Sequence, residues 1–313
     1  VKVTEAIPFT VTGDSQESAA IVAVRELLQQ NFYFSHDLDV TRRLQKRLER
    51  RGTPAVLSNA DPRYVWNTRL CEPLLRQDVN ERFFTPVMQG FVQLQDLQGL
   101  PSPMRLLLIA RKGSRHAGTR YNARGLNDEG EVANWVETEM LVKIAKPSNA
   151  ATASSGETWL ALTQVRGSAP VFWEQKSSTS SLAVTRAAKL SNIAFGKHMS
   201  WIQQEYGEVL NLSLLSEAPA KRDLEGALKQ ALKEQAALHG NVNLKHVDFH
   251  ARVTGEEHEF ERELNSIYND IAESIEAFGF FEMQESAPQR RQAGVLRTNC
   301  FDSLDRTNLL QYQ

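Results

Sequence analysis

The sequence predicts an α/β protein with an α+β segment at its N-terminus. From Leu190 onward, helical patterns alternate with short apolar runs, which is typical of a mostly parallel sheet with helices on its faces. Before that point, from Met104 to Glu174, strand-like runs follow one another without a helical pattern between them. These two observations fix the class, and the elements follow in chain order.

The first element is a helix that Asp14 or Ser15 would cap and that ends near Gln30. The aromatic residues within Asn31–Ser35 then predict a short strand, because aromatic side chains favour strands.

Two further helices are predicted before residue 98. Asp39 would cap the first, which turns Leu44 and Leu48 inward. We expect its basic face to be solvated, and docking to an anionic membrane is the alternative. The second helix follows Pro62, since proline favours the first turn of a helix. The basic face consists of Arg42, Arg43, Lys46, Arg47, Arg50 and Arg51.

Proline and glycine residues between Gly99 and Pro103 predict a joint, so we divide the chain into residues 1–98 and residues 99–313. Strands and polar loops follow the joint. The strands are Met104–Ala110, Val132–Ile144, Thr158–Val165 and Ala169–Glu174, and the loops are Ser148–Gly156 and Lys176–Ser181.

Three helix–strand pairs complete the chain. The helices are predicted from about Leu190 to Tyr206, from Lys221 to His239 and from Glu256 to Phe278. The strands that follow them are Val209–Leu215, Val242–Phe249 and Gly294–Asn299.

Composition excludes several classes of protein. The formal net charge of −2 gives no overall field that attracts nucleic acid, and we expect no nucleic-acid partner. Cys71 and Cys300 are the only cysteines, too few for a secreted disulfide framework, which favours a reducing cytoplasmic setting. No apolar run approaches the length that spans a membrane, Leu106–Ala110 being about the longest, and residues 1–10 do not resemble a signal peptide. We therefore expect a protein that is soluble or peripheral on membranes.

The most informative segment runs from Cys300 to Thr307, where five residues separate a cysteine from an arginine between a predicted strand and a predicted helix. The main-chain N–H groups of such a loop bind phosphate, and the positive electrostatic potential of these groups also lowers the pKa of a thiol. Cys300 is therefore predicted to attack phosphorus, and Arg306 to bind phosphate oxygens in the transition state. Thr307 is placed to donate its hydroxyl to the sulfur as it leaves.

The departing oxygen needs a proton, and the nearest candidate acids are Asp302 and Asp305. One of them would need a raised pKa, and the choice stays open, as does an acid from elsewhere in the chain. Cys71 lacks the spacing to an arginine and lies in an apolar helical pattern, so we interpret it as a core thiol.

A basic stretch in the middle of the chain has two interpretations. It is either a solvated strand edge with structural ion pairs or a contact for lipid headgroups. The stretch contains Arg111, Lys112, Arg115, Arg120 and Arg124.

Histidines and tryptophans receive structural interpretations. His246 and His250 lie without cysteine partners, which favours a supporting role over metal binding, and no metal or cofactor is expected. Trp135 and Trp173 are predicted to be core aromatics.

The string from Arg297 to Asn308, Arg-Thr-Asn-Cys-Phe-Asp-Ser-Leu-Asp-Arg-Thr-Asn, resembles the signature of the Sac-domain phosphoinositide phosphatases. Several other blocks are similar to family blocks in the same order, and their wording is most similar to the Sac domain of synaptojanin-type proteins. These blocks are Tyr33–Arg42, Arg115–Gly125, Glu131–Glu139, Gln164–Gln175 and Asp248–His250.

The resemblance implies an N-terminal Sac subdomain packed on a Cys-phosphatase-like catalytic domain with a central mixed sheet and flanking helices. It implies metal-free hydrolysis of phosphatidylinositol 3- or 4-phosphate, and in some members the 3,5-bisphosphate, by a cytoplasmic protein peripheral on anionic membranes. Its partners would be phosphoinositide lipids, and endocytic proteins through regions outside this chain. The substrate contacts assigned on this basis are Asn299, Phe301, Ser303, Leu304, Thr307, Arg120 and Arg124.

Two departures from the family pattern keep alternatives open. Ser303 stands where the family has a second cysteine, which leaves Cys300 as the nucleophile but allows a phosphoinositide-binding module without turnover. A generic protein tyrosine phosphatase is a third hypothesis, against which the Sac-like blocks argue. Family members also extend further at both ends, so we expect this chain to be a trimmed piece.

Overall fold

The computed structural model describes residues 22–23, 26, 31–99, 102–117, 124–145, 157–175, 183–215, 222–240, 242–252, 257–300 and 305–312. Within them, one mixed sheet dominates the fold and helices pack on both of its faces, which confirms the predicted α/β class.

The sheet changes from antiparallel to parallel at its centre. Its antiparallel half consists of β1 (Phe32–Tyr33), β2 (Met88–Leu97), β3 (Met104–Lys112), β4 (Val136–Ile144) and β5 (Thr158–Arg166). Two short strands, β6 (Trp173–Glu174) and β7 (Ala183–Val184), pair separately. The parallel half continues from β5 in the order β12 (Gly294–Asn299), β8 (Glu208–Ser213) and β9 (Asn243–His246).

β5 is the strand at which both halves meet. Its first part pairs with β10 (Phe281–Gln284), which forms a hairpin with β11 (Ala287–Arg290), and its last two residues pair with β12. The sequence did not predict this hairpin, because all four residues of β11 are exposed and show no apolar alternation.

The helices of the described residues connect these strands. They are α1 (Leu44–Glu49), α2 (Thr68–Leu75), α3 (Ala188–Tyr206), α4 (Arg222–His239), α5 (Phe249–Arg252), α6 (Glu257–Phe278) and α7 (Asp305–Tyr312). α3 ends at Gly207, whose φ of 88° only glycine adopts readily, and whose Cβ position would lie 2.1 Å from the Ala293 carbonyl oxygen.

The parallel strands are buried on both faces, as expected for a sheet between helices. Val295 of β12 belongs to the cluster formed with α3 and α4, whereas Leu296 belongs to the cluster formed with α6 and α7. Leu44 and Leu48 of α1 pack against a third cluster on the antiparallel half, so their predicted inward orientation is confirmed.

The prediction that Asp39 caps a helix was wrong. α1 begins at Leu44 with Arg43 at its N-cap, and the Asp39 carboxylate instead accepts a hydrogen bond from the Thr41 main-chain N–H at 2.9 Å. The short local turn satisfies the carboxylate before the helix begins. Arg43 is also not solvated: it is buried and lies 3.3 Å from Glu205.

The helix predicted directly after Pro62 begins later, at Thr68, and Tyr64 is buried in the turn before it. The helix predicted from Asp14 or Ser15 lies mostly outside the described residues, where only residues 22–23 and 26 are described and are helical. The two predicted polar loops also lie outside them.

The predicted domain boundary at residue 98 lies between β2 and β3, which pair antiparallel from Gly90 to Leu97. The sheet is therefore continuous across the boundary, and the division into two domains stays a prediction. Among the described residues, no helix is both long enough and apolar enough to cross a membrane.

A buried ion network joins the segment before α1 to the sheet. The Arg111 guanidinium binds Glu137 at 2.8 Å and Glu139 at 2.7 Å, and its Nε donates to the Val40 carbonyl oxygen. Burial alone would lower the pKa of Arg111, but Glu139 and Glu137 raise it above its ordinary value. Tyr206 of α3 donates its hydroxyl to Glu137, so the network also reaches the parallel half.

Replacement of Arg111 by methionine should lower the free energy of unfolding by about 3–5 kcal/mol, because two buried carboxylates lose their counter-charge. Arg105→Gln on the same strand is the matched control, because Arg105 and Asp96 form an exposed pair whose attraction is screened by solvent. Urea unfolding of both variants measures the difference. Equal losses in the two variants would contradict the assigned role of the network.

Candidate active site

The carboxyl ends of the parallel strands meet at one edge of the sheet, and Cys300 lies at that edge. It follows β12, which is flanked by β5 on one side and by β8 on the other. All six residues of β12 are buried, since helices cover both faces. α7 begins at Asp305, so the strand and the helix predicted to flank the loop are confirmed.

The loop between them lies outside the described residues. It contains the predicted contacts Phe301, Ser303 and Leu304 and the candidate acid Asp302. For Asp305, the structure describes the main chain but not the side chain.

Cys300 lies on the face of the sheet that carries α6 and α7. It belongs to the same cluster as Leu296 and Leu310, and 1% of its surface is exposed. The sulfur is thus shielded from bulk solvent, which strengthens its interaction with any nearby charge.

Arg306, in the first turn of α7, lies at the same edge. Its Nη1 donates to the Leu214 carbonyl oxygen at 2.8 Å, while the Leu214 main-chain N–H donates to the Asn299 carbonyl oxygen at 2.8 Å. Thr307 is fully buried beside it. The structure therefore brings the predicted residues Cys300, Arg306 and Thr307 to one edge of the sheet.

Arg166 is a charged group at this edge that the sequence analysis did not assign. It is the last residue of β5 and pairs in register with Thr298, two residues before Cys300. Side chains alternate along a strand, so Arg166 shares the face of Leu162 and Gln164, which line a cavity with Leu310 of α7.

The charge of Arg166 interacts with that of Cys300. Burial lowers the pKa of Arg166 to about 10, and a negative charge on Cys300 acts in the opposite direction. With a pKa of about 10 the guanidinium stays protonated at neutral pH, so it favours the thiolate form of Cys300. The available signal in the sequence was its position, a charged residue at the end of an apolar strand.

A second arginine is buried within β12 itself. Arg297 donates to His198 at 3.2 Å, to the Asn299 side-chain oxygen at 3.1 Å and to the Ser168 carbonyl oxygen at 2.8 Å. Burial lowers the pKa of Arg297 to about 9. Asn299 in turn donates to the Ser213 hydroxyl, so the predicted substrate contact Asn299 joins the ends of β12 and β8.

His198 of α3 fixes the other end of this network. Its Nε2 accepts from Arg297, so its Nδ1 carries the proton and donates to the Gly130 carbonyl oxygen at 3.0 Å. Burial, followed by the charges of Arg297 and Arg63, lowers the pKa of His198 well below its usual value. The imidazole therefore remains neutral, and no sequence pattern connects it with the site.

The described arginines of the basic stretch mainly form contacts within the protein. Arg111 belongs to the buried ion network, and Arg115 pairs with Glu131 at 3.0 Å. Arg124, a predicted substrate contact, is buried and lies 5.3 Å from the centre of the Trp173 ring. Arg120 lies outside the described residues.

The structural interpretations of Cys71, Trp135 and Trp173 are confirmed, because all three are buried. Burial raises the pKa of the Cys71 thiol. His246 lies in β9, and the His250 side chain is outside the described part. Within that part, no three His, Cys, Asp or Glu side chains are close enough to hold a metal ion.

Comparisons with known proteins agree with the resemblance. A family model described as the SacI homology domain matches residues 2–254. Inositol-1,4,5-trisphosphate 5-phosphatase 1 of Schizosaccharomyces pombe is 34% identical over 95% of this chain, which corresponds to 28% of that protein. Human synaptojanin-1 is 30% identical over 99% of the chain and 20% of its own length. Zebrafish phosphatidylinositol-3-phosphatase SAC1-B is 31% identical over 90% of the chain and 46% of its own length.

The chain thus spans about a fifth to a half of the length of these relatives. The family-model match ends at residue 254, before the segment from Cys300 to Arg306.

The neutral His198 makes stability depend on pH. The unfolded chain binds a proton at this histidine near pH 6.5, whereas the folded chain binds it only at lower pH. The contribution of the neutral His198 to the free energy of unfolding is therefore complete above pH 6.5. It is lost as the pH falls below that value, and the free energy of unfolding then changes by up to about 1.4 kcal/mol per pH unit. His198→Gln should reduce this slope in urea unfolding between pH 6.5 and 5.5. His239→Gln, on α4 and outside this network, is the control, and an unchanged slope in His198→Gln would contradict the assignment.

Arg166→Met should raise the pKa of the Cys300 thiol, because the thiolate loses the favourable charge of the Arg166 guanidinium. Arg166→Lys should restore most of the difference. The ultraviolet absorbance of the thiolate, titrated in a Cys71→Ser background so that one thiol remains, measures the shift without a reagent that must reach the sulfur. Identical titrations in the Met and Lys variants would show that Arg166 does not act through its charge.

Proposed function

This chain belongs to the SacI homology domain family, and on that premise we propose that it is a phosphoinositide phosphatase with Cys300 as its nucleophile. The observation that supports the proposal most strongly is the position of Cys300 at the carboxyl edge of β12, with the guanidinium groups of Arg166 and Arg306 at the same edge. An anionic sulfur in a field of cations is the arrangement that attack on phosphorus requires.

The reaction proceeds in two displacements. The Cys300 thiolate attacks phosphorus, the bond from phosphorus to the inositol oxygen breaks, and that oxygen takes a proton from an acid. Water then attacks the phosphocysteine, which releases inorganic phosphate and regenerates the thiolate. Asp302 and Asp305 remain the candidate acids, and Thr307 is the candidate donor to the departing sulfur.

Arg306 and the start of α7 bind the phosphoryl group in this mechanism. The guanidinium offers two parallel N–H groups to two phosphate oxygens, for which it exchanges its hydrogen bond to the Leu214 carbonyl oxygen. The main-chain N–H groups at the N-terminus of a helix add favourable dipoles. Asn299, Phe301, Ser303 and Leu304 are proposed to contact the phosphate, and Arg120 and Arg124 are proposed to contact the inositol headgroup.

The substrate class follows from the family. We infer hydrolysis of phosphatidylinositol 3- or 4-phosphate on the cytoplasmic face of an anionic membrane where the protein is peripheral; the 3,5-bisphosphate, a substrate of some family members, is a further candidate. The fission yeast relative is named a 5-phosphatase, but this chain covers only 28% of that protein. Hydrolysis at the 5-position is therefore not proposed for this chain. Endocytic partners would bind regions outside this chain.

Cys300→Ser should lower phosphate release from short-chain phosphatidylinositol 4-phosphate by at least about a thousandfold, because a serine hydroxyl is not ionised near neutral pH. Cys71→Ser is the matched control: it removes the other thiol, which is buried outside the site, and should retain activity. Colourimetric detection of phosphate over a panel of phosphoinositides measures both variants and the ring preference.

Equal rates in the wild-type and Cys300→Ser proteins would contradict the mechanism. Binding of phosphoinositide by a wild-type protein without turnover would favour the alternative, a binding or scaffold module. Preferential hydrolysis of phosphotyrosine peptides would indicate a protein tyrosine phosphatase instead.

A further inference from the structure

A cavity of about 400 Å³ lies beneath α1, at the end of the sheet remote from Cys300. Trp159, the second residue of β5, lines this cavity. It lies seven residues before Arg166, which corresponds to roughly 23 Å along a strand. Leu107, Leu141 and Met283 extend the apolar floor, and Leu48 of α1 covers it. The volume and the apolar lining are typical of small-molecule pockets.

Four arginines surround this cavity, and their charges are compensated to different degrees. Arg42 pairs with Asp39 at 3.2 Å and with Asp61 at 3.7 Å. Arg50 and Arg51 donate only to the main-chain carbonyl oxygens of Asn59 and Ser286, and no described carboxylate lies within ion-pair distance of either. Two positive charges at the rim are therefore available to a ligand.

Arg47 of α1 is the fourth arginine; its side chain is half-buried, and its Nε atom is shielded from solvent. Burial lowers the pKa of Arg47, and its Nε has no hydrogen-bond partner among the described residues. A desolvated guanidinium with an unsatisfied N–H is costly unless a charged or polar acceptor approaches it.

The carboxylates near the cavity are hydrogen-bonded or ion-paired to other groups, apart from one, and two of them, Glu139 and Asp39, also attract the charge of Arg47. Asp39 binds Thr41 and Arg42, and Glu139 binds Arg111 and the Leu44 main-chain N–H. Among the described residues that line the cavity, Asp37 is the one exposed acidic side chain. The balance at the mouth of the cavity is therefore positive.

We propose that this cavity binds an anionic amphiphile with a single aliphatic chain. The chain lies on the floor formed by Leu107, Leu141 and Trp159, and the head group lies among Arg47, Arg50 and Arg51. An inorganic anion alone leaves the apolar floor wet, and a neutral hydrocarbon leaves the Arg47 Nε without an acceptor. This site does not depend on the chemistry at Cys300.

Titration of the chain with monomeric laurate, followed through tryptophan fluorescence, tests the proposal. Laurate should bind at least about tenfold more tightly than dodecanol, because only the carboxylate pairs with the arginines. It should also bind about tenfold more tightly than caprate, which has two fewer methylene groups to bury. Trp159→Phe should remove the fluorescence response, and higher salt should weaken binding.

Two variants locate the head group. The double variant Arg50→Gln, Arg51→Gln alters exposed side chains, so it should leave the fold intact and should weaken laurate binding about tenfold. Arg47→Met should weaken laurate binding at least as much. Arg76→Gln, an exposed arginine on α2 outside the cavity, is the matched control. Equal affinities for laurate and dodecanol, or unchanged affinity in the double variant, would overturn the proposal. Binding only to vesicles that contain phosphatidylserine would also overturn it, because it would indicate a docking surface.

Discussion

The hydrogen bonds of the buried Arg297 guanidinium are the interactions on which the position of Cys300 depends. The guanidinium donates to His198 of α3, to Asn299 at the end of β12 and to the main chain of Ser168 after β5. A buried charge is tolerated only while its hydrogen bonds are made, so none of these three segments can move without a large loss of free energy. The strand end that carries Cys300 is held in place for this reason.

The local charges at this edge differ from those of the whole molecule. The formal net charge is −2, yet Arg166, Arg297 and Arg306 all lie near the end of β12. A local field of this kind attracts an anionic headgroup without making the protein basic overall. Arg111 has a corresponding role in the antiparallel half, where a guanidinium between two carboxylates stabilises packing and leaves no net positive charge.

The sequence alone predicted the elements correctly where the interactions that define them are local. β12 has the bounds predicted for it, because a short apolar run follows polar residues and precedes the cysteine. The elements around α1 were predicted less well, because Asp39 is satisfied by a turn and Arg43 by Glu205, which is far along the chain. The same reason explains why Arg166 and His198 were not assigned to the site: each reaches it through a strand or helix remote in sequence.

Mass spectrometry of the protein, denatured with detergent at alkaline pH during turnover of phosphatidylinositol 4-phosphate, tests the central claim most directly. The account predicts a phosphoryl group on the peptide that contains Cys300, since a thiolate at this edge attacks phosphorus and the phosphocysteine is then hydrolysed. Steady release of phosphate with Cys300 unmodified at every quench time, and with a phosphoryl group on another side chain, would contradict it.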